Sequence, residues 1–224
     1  MFTIAEELLL LAMDDEKGTV VFSASDYLNY GLAGAILAEL TILERIELND
    51  KKVVVINEEE TGVTFLDSVL GEIKQSNKSK KVDDWINRIN SKMGQMRKDM
   101  IQLLVEKGVL KEEEKKVLWI FNQSTYPTDK EIPEQEIRNR VHASLFGDEK
   151  PNARSAMLLS LIKSCNLVDE VFSKDEKKEA TKCMDEIIKN HDYGKAVKAS
   201  IEEMQTAVIV ACTTVVMVSS INTN

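Results

Sequence analysis

Cysteine and histidine are scarce in this chain, with three of the former and two of the latter among 224 residues. Cys165, Cys183 and Cys212 are odd in number, widely spaced and form no C-x-x-C pair, which excludes a disulfide scaffold or a zinc ribbon. They read as reduced, buried thiols of a cytosolic protein. His142 and His191 fall on separate helical segments beside residues that suit a solvated surface, so neither is given a catalytic role. Three prolines and nine glycines are too few for a collagen-like, linker-rich or disordered chain. Long apolar runs are missing as well. The longest, residues 207–218, has twelve positions, two of them threonine, short of the roughly 18 that a transmembrane helix needs. The opening MFTIAEELLLLAMDDEKG carries acids where a secretory signal needs bases.

Positive charge is also in deficit. The 38 acids and 29 bases leave a formal charge of −9, which opposes non-specific attachment to nucleic acid or anionic lipid. One stretch reverses the balance. Between Lys74 and Lys98 the bases Lys74, Lys78, Lys80, Lys81, Arg88, Lys92, Arg97 and Lys98 face only Asp83 and Asp84. Each base near an anionic surface contributes roughly 1 kcal/mol. Arg97 and Lys98 fall on a predicted helix with Lys92 just ahead of them, and these three are the candidate anion-binding residues. LAELTILERIELNDKKVVVI has the helix-then-wing order of winged-helix proteins, but Glu39, Glu44 and Glu58 to Glu60 would repel phosphate. Nucleic acid is not an expected partner.

Chemistry-bearing motifs are absent. No GxSxG, HExxH, P-loop or dinucleotide-binding glycine pattern occurs. Gly31 and Gly34 make a GxxG without the basic residues of a phosphate- or RNA-gripping loop. The acids Asp14-Asp15 and Asp83-Asp84 are adjacent in sequence and so do not share a helix face. The expectation is a non-enzyme with no catalytic residues, no cofactor and no metal.

What is present is mainly helical. Thr3 with Glu6 three residues on is a capping-box signature leading into residues 8–13. Residues 19–22 read as a short β-prone run, and Ser25 or Asp26 as the cap of a helix continuing to about residue 44. RIELNDKKVVVI reads as a hairpin turning at Asn49-Asp50. Helices are expected at residues 66–74, over 83–108 with Gly108 as the stop, and at 134–146, 153–172, 174–190 and 194–218. The last contains TAVIVACTTVVMV, apolar all round, which is expected at the centre of a bundle. WIFNQSTYPTD reads as a hairpin with a partly apolar tip, whose Trp119, Phe121, Tyr126 and Pro127 are candidates for contact with a bilayer or a second subunit. The fold class is therefore mainly α: a single compact helical domain over residues 1–224, around an apolar central helix, with short β-hairpins.

Four strings in order carry a family likeness: AEELLLLAMDDEKG, YLNYGLAGAILAEL with its ERIEL ending, LVEKGVL before an aromatic hairpin, and MQTAVIVACTT. Together they resemble the Golgi phosphoprotein 3 family over essentially the whole chain. Eukaryotic members are peripheral membrane proteins that bind phosphatidylinositol 4-phosphate, the cytosolic tails of Golgi glycosyltransferases and coatomer. The resemblance places four ligand-pocket positions here. The family's tryptophan falls on Ala24 and an arginine on Ala33. Two further arginines fall on Gly94 and Arg97, so one of the four is retained. The basic amino-terminal extension associated with coatomer binding is not matched, since the likeness begins near Thr3. Both departures suit a prokaryotic-type member. The resulting expectation is a cytoplasmic, non-enzymatic adaptor-type protein, peripheral on the cytosolic face of a membrane. Its expected partners are an anionic phospholipid or phosphoinositide headgroup at Arg97, Lys98 and Lys92, with a homo-oligomer formed through the hairpin. The alternative is a protein-interaction module that grips basic cytosolic tails without lipid.

Overall fold

The computed structural model describes residues 2–117, 121–148, 151–189 and 202–213, with the side chains of 115–117, 121–123, 131 and 189 outside that description. Thr3 opens the first helix as the sequence predicts. Its hydroxyl accepts from the Glu6 amide while the Glu6 carboxylate accepts from the Thr3 amide, closing the capping box of α1 (Ile4–Leu11). Every residue of α1 is buried, the two glutamates included. Helix α2 (Leu28–Ile42) is nearly as deep and packs against α1. These two form the apolar centre of a mainly helical fold.

Helix α2 ends before a small sheet. Strands β1 (Ile46–Asn49) and β2 (Lys52–Val55) pair antiparallel in register Asn49↔Lys52, and β3 (Lys80–Lys81) adds along β2. The hairpin turn is Asp50-Lys51, with φ of 48° and 62°, one position beyond the predicted Asn49-Asp50. Both residues occupy the left-handed region, which is what a two-residue hairpin needs to match strand twist. Around the centre lie α3 (Thr64–Lys74), α4 (Val82–Asn90) and α5 (Met93–Glu106). Their buried positions recur at helical spacing, as in Val82, Trp85, Ile86 and Ile89 of α4. Gly108, at φ +65°, ends α5 as expected. Strands β4 (Glu113–Val117) and β5 (Phe121–Thr125) then form a separate antiparallel hairpin.

Helices α6 (Glu131–Phe146), α7 (Ala153–Ser164), α8 (Val168–Val171) and α9 (Lys177–Lys189) follow, and residues 202–213 form α10. One contiguous apolar core runs through these elements. Several expectations need correction. Residues 19–22 form no strand: Val20 makes a single bridge to Met13, and Phe22–Ala24 is a 3₁₀ turn. Neither Ser25 nor Asp26 caps α2, whose N-cap is Tyr27 without a side-chain bond. The helix expected over 153–172 breaks at Asn166, which turns to φ 57°. Of the helix expected over 194–218, residues 194–201 and 214–218 lie outside the described residues, and the described part, α10, is buried on one side only. Met204, Val208 and Cys212 are buried, but Val210 is 56% exposed and Thr206 and Thr213 face outward. The apolar central helix is α2.

Gly31 and Gly34 explain how α2 accepts so many neighbours. A Cβ at Gly31 would lie 2.2 Å from Cys165 Sγ, and one at Gly34 would lie 2.0 Å from Val208 Cγ2. Both glycines are close-approach sites for the α7 end and for α10, not a ligand loop.

Candidate functional site

The uncapped start of α2 leaves its first amides without a side-chain acceptor at Tyr27. Arg97, half-buried on α5, reaches this end: its Nη1 donates to Asn29 Oδ1 at 3.3 Å. A guanidinium and a helix N-terminus thus meet across α2 and α5, a combination that favours anions. Lys98 follows Arg97 and is exposed. Lys92 is engaged elsewhere, donating to Glu72 Oε1 at 2.5 Å while Arg88 Nε donates to Glu72 Oε2 at 2.9 Å. Burial works to raise the Glu72 carboxyl, but the hydrogen bonds from Lys92 and Arg88 hold it below the usual carboxylate range. Part of the basic stretch is therefore spent on α3. Lys74 likewise pairs with Glu58 at 2.5 Å.

The substituted positions fall in two environments. Ala24 and Ala33 are wholly buried. Gly94 is exposed, and a Cβ there would meet nothing within 4 Å. The surface around Arg97 thus has room for a side chain on the Gly94 side, while positions 24 and 33 belong to the packed interior. Two concavities lie away from Arg97. One of about 500 Å³ is lined by Tyr27, Lys163, Asn166, Asp185, Ile209 and Cys212, among others. The other, about 200 Å³, lies between β2, the end of α3 and Trp85, whose buried Nε1 has no acceptor among the described residues.

The hairpin residues separate by position. Trp119 lies outside the described residues. Phe121 begins β5, its side chain outside the description. Tyr126 and Pro127 are at the base of the hairpin rather than its tip. The Tyr126 amide donates to Gly18 O at 2.8 Å, its hydroxyl donates to Glu112 Oε1 at 3.4 Å, and Pro127 is buried. Just beyond, Thr128 donates through Oγ1 to Asp15 Oδ1 at 2.6 Å and through its amide to Asp15 O at 3.1 Å. Asp15 also meets the buried Glu134 of α6. Burial, with the facing Asp15 carboxylate, pushes the Glu134 carboxyl up to about 7 against the pull of Arg138, whose Nη2 lies 2.7 Å from Glu134 Oε1.

A set of buried ion pairs escaped the sequence reading. Glu39 of α2 accepts from the Ile4 amide at 2.8 Å and from Arg154 Nη2, while Arg154 Nη1 donates to Phe2 O at 3.2 Å. Glu6 pairs with Lys107, and Glu7 with Arg140 at 2.6 Å. Burial raises the Glu7 carboxyl and Arg140 opposes the rise. These pairs join α1 to α2, α6, α7 and the end of α5. The only hint in the sequence was three acids in otherwise apolar helices. His142 Nε2 lies 2.9 Å from Glu176 Oε1 on the surface, and hydrogen bonds from Ser173 and then His142 hold the Glu176 carboxyl down at about 2. His191 lies outside the described residues.

Among the described residues no group of three or more His, Cys, Asp or Glu could hold a metal ion, and no helix is long and apolar enough to cross a membrane. The model of the family described as Golgi phosphoprotein 3 matches residues 4–204. Vacuolar protein sorting-associated protein 74 of Schizosaccharomyces pombe is 30% identical over 160 residues, which is 62% of this chain and 47% of that protein. The chain thus spans about half the length of that relative. Because the family match runs from the first turn of α1 into α10, across the whole helical core, the chain belongs to the Golgi phosphoprotein 3 family.

Proposed function

We propose that this chain is a non-enzymatic, adaptor-type member of its family that docks weakly on an anionic membrane face. The observation that carries the reading is the meeting of Arg97 with the uncapped start of α2 at Asn29, beside exposed Lys98. The docking is weak because the family's other pocket positions hold Ala24, Ala33 and Gly94, and each missing charge-assisted bond forfeits about 1.5–3 kcal/mol. The β4–β5 hairpin is a second contact on the strength of the family resemblance. Vesicle flotation tests the proposal. The full chain should float with vesicles containing phosphatidylinositol 4-phosphate or phosphatidylserine more than with phosphatidylcholine alone, and Arg97→Glu should remove the difference. Equal recovery on all three, unchanged by Arg97→Glu, would sink it.

The formal charge of −9 favours a second reading, a module that grips basic cytosolic tails without lipid. Immobilised basic juxtamembrane peptides should then retain the chain at low salt and release it at high salt. No retention at low salt refutes this reading.

A further inference from the structure

Cys165 and Cys212 are 47 positions apart, yet the fold brings their sulfurs together. Cys165 caps the end of α7 and is wholly buried, while Cys212 lies on α10 and is 3% exposed. Each thiol points at the same backbone acceptor, Tyr27 O, at 3.9 Å, so the two sulfurs gather around one carbonyl oxygen. The space beside Cys165 is held open by Gly31, where a Cβ would collide with Sγ at 2.2 Å. Cys212 also lines the concavity of about 500 Å³ with Tyr27, Lys163 and Asn166. The two thiols are unequal: the neighbouring Cys212 and then burial push the Cys165 thiol well above the usual range, while the neighbouring Cys165 lowers Cys212. A thiolate-leaning cysteine in the wall of a concavity, beside a fully buried resolving thiol, is the arrangement of a peroxide-sensitive pair.

We propose that Cys165 and Cys212 are a redox modification site, converted by hydrogen peroxide to an intramolecular disulfide that ties α10 to the end of α7. In the first step the Cys212 sulfur attacks one peroxide oxygen. An S–O bond forms, the O–O bond breaks, and the departing hydroxide takes up the thiol proton as water. In the second step the Cys165 sulfur attacks the Cys212 sulfenic acid. The S–S bond forms, the S–O bond breaks, and hydroxide leaves with the Cys165 proton as a second water. Two thiols are oxidised and one peroxide is reduced. Closure brings the two sulfurs, gathered around Tyr27 O, to the S–S distance of about 2.0 Å. The product closes a loop that contains α8 and α9, so it fixes one wall of the concavity to the other.

The test uses the full chain carrying Cys183→Ser, which removes the half-buried third thiol of α9. The reduced protein is treated with equimolar hydrogen peroxide, alkylated and measured by intact-mass and peptide mass spectrometry. The expected result is joint loss of both alkylatable thiols, a monomer lighter by two hydrogens, and one linked peptide pair containing Cys165 and Cys212. In the same background Cys165→Ser should stop at the sulfenic acid, which a cyclic dione labels at Cys212. If that variant does not fold, the Cys183→Ser result decides alone. Addition of two or three oxygens to Cys212 with Cys165 still alkylatable overturns the proposal. So does a disulfide between two chains, or no reaction at either thiol.

Discussion

At the scale of single residues, the absence of a side chain matters as much as any contact. Gly34 lets α10 rest on α2 because Val208 Cγ2 occupies the volume a Cβ would fill, at 2.0 Å. Gly34→Ala should therefore overpack this contact and destabilise the fold by about 1–3 kcal/mol. Urea unfolding of Gly34→Ala, with and without Val208→Ala, measures it. Partial recovery in the double variant is the expected outcome, and a Gly34→Ala protein as stable as the parent would refute the close-approach account. Arg97 illustrates the complementary limit. Its place on a helix was legible from the spacing of Met93, Met96, Met100 and Leu104, but its bond to Asn29 joins residues 68 positions apart. No local pattern encodes that partner. Lys92 makes the same point from the other side, since its charge was visible and its engagement with Glu72 was not.

At the scale of elements, helices and hairpins were legible where the signal is local. Thr3 and Glu6 contain the whole capping box within one turn, and Gly108 marks the end of α5 by itself. The break after α7 was not legible, because Asn166 adopts the left-handed region inside an otherwise helical pattern. Nor was the outward face of α10, since apolar composition does not reveal which neighbours an element finds. The joint between the hairpin base and α6 has a consequence for pH. Glu134 is raised to about 7 in the fold, above the ordinary glutamate value of 4.5. The folded state therefore binds more protons than the unfolded chain between pH 4.5 and 7, and stability attributable to this group falls as pH rises through that window. The full loss is roughly 3 kcal/mol, present above pH 7 and absent below pH 4.5. Glu134→Gln keeps a donor toward Asp15 without the charge. Its stability relative to the parent should be higher at pH 8 than at pH 5, read from denaturant midpoints at both values. The same difference at both pH values would disprove it.

At the scale of the whole molecule, the buried pairs organise the core. Glu6, Glu7 and Glu39 would each be costly in an apolar interior, and each meets a cation from a different part of the chain. The partners are far off in sequence: Arg154 lies 115 positions from Glu39 and 152 from Phe2, and Lys107 lies 101 from Glu6. That separation has a consequence in time as well as in space. The ribosome adds about 5–20 residues each second, so α1 and α2 emerge on the order of ten seconds before Arg140 and Arg154 exist to neutralise them. Burying the two most apolar helices within that interval would leave Glu7 and Glu39 without their cations, at the cost of unpaired charge in an apolar interior.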